Sequence, residues 1–185
     1  MPQESWSRDS TLWGLGVLIG LLAAERWLEL WLSARHTRAL KLRGAVEHGR
    51  SHFPIFVALH VAFPLALSVE VMYGVARPGS WAPIWFVLFV AAQLLRCSAI
   101  RALGKYWNVR VWVVPGMQPV RRGPYRFLRH PNYVAVAIEL LAAALFFGAW
   151  RTAAVFSALN LAALAVRIPV EERALTEAAG REPRP

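Results

Sequence analysis

The sequence is short of thiols, of acidic residues and of the common nucleotide-binding signatures. Its single cysteine, Cys97, excludes an intramolecular disulfide framework and a cysteine-rich zinc site. Lying in an apolar stretch, it reads as a buried, inert thiol. No glycine-rich phosphate loop and no serine nucleophile elbow occur. Gly14-Leu15-Gly16 with Gly20 lacks the preceding strand and the spacing of a dinucleotide fingerprint, and reads as close helix packing. His52 and His60 can share a helix face, but no carboxylate or cysteine set joins them, so no metal is expected. No cleavable signal peptide is expected either, because the apolar stretch behind the polar N-terminus ends in charge, not in small residues. Asp and Glu number 11 against 21 Lys and Arg, a formal charge of +10.

What fills the chain instead is apolar. Of 185 residues 57% are hydrophobic, nine are Trp, and the mean hydropathy is +0.39. That is too apolar for a water-soluble domain of this length. The basic residues lie between apolar blocks, not on one soluble surface, so the expected partner is a lipid bilayer, not nucleic acid. The blocks cover about 12–32, 53–76, 81–103, 132–149 and 152–168. A span of hydrocarbon takes ~20 helical residues, which the first three supply. The last two are shorter and separated only by Gly148-Ala149-Trp150-Arg151, which predicts a tight antiparallel hairpin.

Sixteen Lys and Arg fall after the first block, between the third and fourth, or in the tail (Arg167, Arg173, Arg181, Arg184), against Arg8, Arg77 and Arg151 on the other side. The expected fold is therefore an all-α integral membrane protein of five transmembrane helices ending in a short helical hairpin. Its N-terminus lies outside and its C-terminus in the cytosol. Residues 1–185 form one membrane domain, with a three-helix part at 1–104.

Glu25, Arg26, Glu29, His60, Glu70, Gln93, Arg96, Glu139 and Asn160 sit inside these blocks, where each is costly unless paired or facing a polar cavity. Glu25 and Glu29 share a helical face and Arg26 can pair with Glu29. An interhelical clamp and a polar pocket are both open readings, and Glu139 is the foremost pocket or loop-tethering candidate.

The densest polar chemistry lies at the inner ends of the hairpin. Arg121-Arg122-Gly123-Pro124-Tyr125-Arg126-Phe127-Leu128-Arg129-His130-Pro131-Asn132-Tyr133 precedes it, and Arg167-Ile168-Pro169-Val170-Glu171-Glu172 follows. Prolines 115, 119, 124 and 131 break regular structure and free backbone groups for a ligand. Tyr125, Tyr133 and Trp107 offer faces for an adenine ring or a sulfonium. His130, before a proline, is biased to extended backbone and is expected to cap the fourth block. Arg121, Arg122, Arg126 and Arg129 also suit lipid phosphates. Arg167 and Glu171, one turn apart, read either as an ion pair or as a clamp for a zwitterionic ligand.

The run from Gly123 to Tyr133, the hairpin, and Arg167 with Glu171 and Glu172 together resemble the isoprenylcysteine carboxyl methyltransferase family over about residues 105–175. The five-span layout resembles its short prokaryotic members. The resemblance implies a membrane S-adenosylmethionine-dependent O-methyltransferase without a soluble Rossmann domain, with 105–175 as the cofactor-binding catalytic part. It implies that Tyr125, His130, Pro131, Asn132 and Tyr133 bind the cofactor, that Met117, Gln118, Pro119 and Val120 wrap it, and that Glu171 holds its amino acid end. Arg167 would face the acceptor carboxylate as the catalytic residue. Where eukaryotic members carry a cofactor-contacting glutamine, this chain has Arg110, and it lacks their extra N-terminal spans.

The implied acceptor is lipophilic: a prenylated cysteine, or in a bacterial inner membrane a lipid acid or long-chain phenol, methylated on the cytosolic side. A carboxylate needs no general base; a phenol would need His130 or Glu139. The alternatives are an NADPH-dependent sterol or enoyl-lipid reductase, whose C-terminal region looks similar, and a catalytically silent scaffold.

Overall fold

A computed structural model describes residues 6–180, so Arg181 and Arg184 of the basic tail lie outside the described residues. Five helices carry the fold: α1 (Arg8–Lys41), α2 (Phe53–Met72), α3 (Ala82–Leu103), α4 (Pro131–Phe146) and α5 (Trp150–Ala178). Two three-residue strands, β1 (Val46–His48) and β2 (Val111–Val113), pair antiparallel with Val46 opposite Val113. The segments containing α2, α3 and α5 are long and apolar enough to cross a membrane; α4 is apolar but has only 16 residues. α1 has the length, roughly 50 Å, but carries Glu25, Arg26 and Glu29 along it.

Local chemistry sets the helix ends. The Ser7 side chain accepts from the Ser10 amide at the start of α1, and Arg38 and Lys41 close its last turn. α2, α3 and α4 each begin with a proline in the first turn, where the missing N–H has no partner to lose. Glu70, buried in α2, caps α5: its carboxylate accepts from the Thr152 amide at 2.8 Å and the Thr152 hydroxyl at 2.6 Å. The α4–α5 turn is tighter than expected, Phe147-Gly148-Ala149, with Trp150 and Arg151 already helical. Gly148 has φ +68°, and a Cβ there would stand 2.5 Å from the Arg77 carbonyl oxygen. Only glycine fits.

The apolar core runs between α1, α2, α4 and α5 through Leu15, Phe63, Leu67, Leu140, Phe147 and Phe156. The buried residues of α3 are four alanines and Arg96, small side chains that let helix axes approach closely. Large apolar side chains such as Trp13, Leu21, Val69, Val87 and Leu94 point outward, as a lipid-facing surface requires. Cys97 is also exposed on α3, which corrects the expectation of a buried thiol. Among the glycines of α1 only Gly14 approaches a neighbour, Phe147; Gly16 and Gly20 face open space, so close packing holds for one of the three.

The charges inside α1, α3 and α4 form one cluster. Arg96, 1% exposed, pairs with Glu25 at 2.6 Å, with Glu29 at 3.4 Å and with Glu139. Arg26 pairs with Glu29 at 2.8 Å, and Gln93 donates to Glu25. A clamp joining three helices accounts for them. Glu139 lies inside that clamp and tethers no loop.

Candidate active site

One cavity of about 620 Å³ opens beside the start of α2 and the loop after α3, and continues between α1 and α2. Its mouth is polar and aromatic. Farther in, Ile19, Leu22 and Ala23 of α1 face Val61, Pro64 and Leu65 of α2. The 16-residue α4 and the 29-residue α5 form its polar wall, because their hairpin returns Arg167 and Glu171 beside Tyr133. α5 runs past the expected end at 168, through Pro169, to Ala178.

At the mouth Arg167 and Glu171 are bridged, not paired. Arg167 Nε donates to the Tyr133 hydroxyl at 2.7 Å, and that hydroxyl donates to Glu171. Arg167 Nη2 donates to the Val109 carbonyl at 2.6 Å, and the guanidinium also lies 4.9 Å from the Phe56 ring centroid. Among the described residues no carboxylate stands within salt-bridge distance of Arg167, so its charge faces the cavity without an anionic partner. The His130 ring stacks on Tyr133 with centroids 5.4 Å apart, and its Nε2 is 3.2 Å from Glu172.

His130 occupies the N-cap position of α4, yet its side chain makes no cap hydrogen bond; its carbonyl accepts from Tyr133 and Val134 instead. Tyr125 lines the cavity from a short 3₁₀ turn, Gly123–Arg126. Burial first, and then the Glu171 carboxylate, push its hydroxyl above the usual phenol range, which keeps it protonated and able to donate.

Of the residues singled out from the sequence, Met117, Pro119, Val120, Tyr125, His130, Asn132, Tyr133, Arg167 and Glu171 all line this cavity. Gln118 is exposed and does not; Pro131 is buried as the first residue of α4 and does not. Glu139 is likewise absent from the wall. Trp107 lines it but is packed edge-on against His36, whose Nδ1 donates to its carbonyl at 2.7 Å. Arg110 lines the cavity while pairing with Glu47 at 2.9 Å and stacking on Phe53 at 4.4 Å. That pairing anchors the loop after α3 to β1.

Three contributors escaped sequence reasoning. Asn108 bonds Ser33 and Thr37 of α1 and so fixes the turn that presents the Val109 carbonyl. The β1–β2 pair closes the mouth from the side, and three-residue strands leave almost no periodic signal. The apolar slot between α1 and α2 was hidden because its residues read as ordinary span. No group of three or more metal-ligating side chains occurs among the described residues.

Comparison with known proteins follows the same lines. The model of the isoprenylcysteine carboxyl methyltransferase (ICMT) family matches residues 85–177. An uncharacterized protein of Bacillus subtilis, YpbQ, is 37% identical over 87% of this chain and 96% of its own length. An uncharacterized protein of Haemophilus influenzae is 31% identical over 88% of this chain and 95% of its own. No solved structure matches. With the family model spanning half of its length and covering α4, most of α5 and the loop before them, the chain belongs to the isoprenylcysteine carboxyl methyltransferase family.

Proposed function

We propose that this protein is an integral membrane S-adenosylmethionine-dependent O-methyltransferase acting on the carboxylate, or a phenolic hydroxyl, of a lipophilic acceptor. The observation that carries the reading is the continuity of a single cavity. A polar, aromatic mouth with an unpaired Arg167 leads into an apolar slot between helices. A water-soluble acceptor would have no use for the slot.

The residues at the mouth fit the cofactor. Tyr125, Tyr133 and His130 offer faces to a purine or a sulfonium. Asn132 Oδ1, buried and without a partner, would accept from an amine or a hydroxyl. The Glu171 carboxylate would hold an ammonium group, with Met117, Pro119 and Val120 along the side. When bound, S-adenosylmethionine supplies an electrophilic methyl group.

The rest is positioning and exclusion of water. Arg167, fixed by Tyr133 and Val109, attracts and orients an anionic acceptor group. A carboxylate is ionised at neutral pH, so no proton has to move. For a phenol, with an ordinary pKa near 10, His130 is the base at hand; Glu139, held by Arg96 outside the cavity, is not. In this reading five helices span the bilayer as one membrane domain, residues 1–104 carry α1 to α3, and residues 105–175 hold the cofactor. The mouth faces the cytosol of a bacterial inner membrane.

The test is calorimetric binding of S-adenosylhomocysteine and of NADPH to the purified protein, followed by mass spectrometry of lipid extracts incubated with labelled S-adenosylmethionine. The expected outcome is binding of S-adenosylhomocysteine only, and transfer of label to a lipid. Arg167→Ala should abolish transfer and retain most cofactor affinity, whereas Glu171→Ala should lose that affinity. Full turnover by the Arg167 variant, or NADPH as the preferred ligand, would sink the assignment.

A further inference from the structure

Deeper in the same cavity a second set of polar atoms has no partner within the protein. Asn160 of α5 is 1% exposed and lines the cavity, and neither its Oδ1 nor its Nδ2 is hydrogen-bonded. His60 of α2 lines the cavity too. Its Nδ1 lies 2.7 Å from the Phe56 carbonyl oxygen, so that nitrogen carries the hydrogen and donates. Its Nε2 is then an acceptor, and it is buried without a partner.

The two side chains lie at one depth. Arg167 sits over Phe56, and Phe156 packs edge-on against Phe63 with centroids 5.5 Å apart. This antiparallel register of α2 and α5 puts residue 60 level with residue 160. Around them the wall is apolar, with Leu22, Val61 and Leu164. Arg26 and Glu29 reach the cavity as well: Arg26 Nη1 pairs with Glu29 at 2.8 Å, and its Nη2, without a hydrogen bond, lies 3.4 Å from Glu25 and 3.8 Å from Glu139. Orphaned polar groups in such a wall are costly unless a ligand completes them.

We propose that His60 and Asn160 form a specificity subsite for a hydroxyl group carried on the body of the acceptor. This rests on the methyltransferase reading of the same cavity. A hydroxyl donates to His60 Nε2 and accepts from Asn160 Nδ2, which an ether or a bare hydrocarbon cannot do together. Asn160 precedes Arg167 by seven residues, so the hydroxyl sits ~10 Å from the methylated end. The acceptor is thus a bifunctional lipid: an acidic oxygen at one end, a hydroxyl part-way along its chain.

The experiment uses the full-length protein in nanodiscs and two probes, hexadecanoic acid and hexadecanoic acid hydroxylated in mid-chain. The wild type should bind the hydroxylated acid about tenfold more tightly, the worth of one buried hydrogen-bonding group. Asn160→Leu and His60→Phe should each bring the two acids to similar affinity, with the plain acid bound no more weakly than before. Equal affinities in the wild type, failure of both acids to bind, or a preference surviving in either folded variant would overturn the subsite. S-adenosylhomocysteine affinity, measured on the same samples, reports on the methyltransferase reading separately, since neither residue stands at the cofactor end.

Discussion

At the cavity mouth the Tyr133 hydroxyl accepts from Arg167 and donates to Glu171, so it separates a cation from an anion that one helical turn would otherwise bring together. Removing that oxygen leaves the two charges free to collapse onto each other. Tyr133→Phe keeps the ring that stacks on His130 but loses two hydrogen bonds to charged groups, each worth about 1.5–3 kcal/mol. Turnover should fall by roughly 10- to 100-fold, and the melting temperature should fall as well, by less than the two bonds are worth because Arg167 and Glu171 can then pair with each other. A variant with wild-type kcat/KM would show that the bridge is incidental. The sequence made Arg167, Glu171 and the tyrosines legible as a set, because such residues are rare at the edge of apolar blocks. It did not make the bridge legible, because helical spacing says nothing of what a neighbouring helix inserts between two side chains. The Gln118 side chain turns outward while the residues flanking it line the cavity, and in a loop without a period nothing indicates which side chains turn inward.

The hairpin of α4 and α5 depends on Gly148. Alanine there meets two costs, a left-handed backbone at about 1 kcal/mol and a collision with the Arg77 carbonyl oxygen 2.5 Å away. Gly148→Ala should therefore destabilise the protein by roughly 2–4 kcal/mol, read as a lower melting temperature in detergent. Gly74→Ala is the control, since Gly74 has φ +70° with nothing within 4 Å of a new Cβ, and it should lose only the backbone part. Equal losses at the two sites would mean that the Arg77 contact carries no weight. The hairpin itself was foreseeable from two short blocks and a glycine. The length of α5 was not, because the charges from Arg167 onward end the apolar block while Glu172, Arg173, Ala174 and Leu175 remain good helix formers. α1 outran its apolar block in the same way, ending at Lys41.

Over the whole molecule, charge asymmetry sets the expected orientation. The loops that carry Arg121, Arg122, Arg126 and Arg129 share an end of the bundle with Arg35, Arg38 and Arg43, while Arg8, Arg77 and Arg151 mark the other end beside Trp6, Trp81 and Trp150. Basic loops are retained in the cytosol, and Trp favours the interface. On the proposed reading, a mouth on the basic side would draw a soluble cofactor from the cytosol and the slot between α1 and α2 would admit the acceptor from lipid, so one orientation would serve both ligands. Single-cysteine variants can test it, with the exposed Cys97 first replaced by alanine. Ser80→Cys lies in the loop between α2 and α3, and Gln118→Cys in the exposed loop after β2. A membrane-impermeant maleimide added to intact cells should label the cysteine at 80 and spare the one at 118 until the membrane is opened. The reverse pattern would turn the mouth outward, away from any cytosolic cofactor, and the proposed chemistry would fall with the orientation.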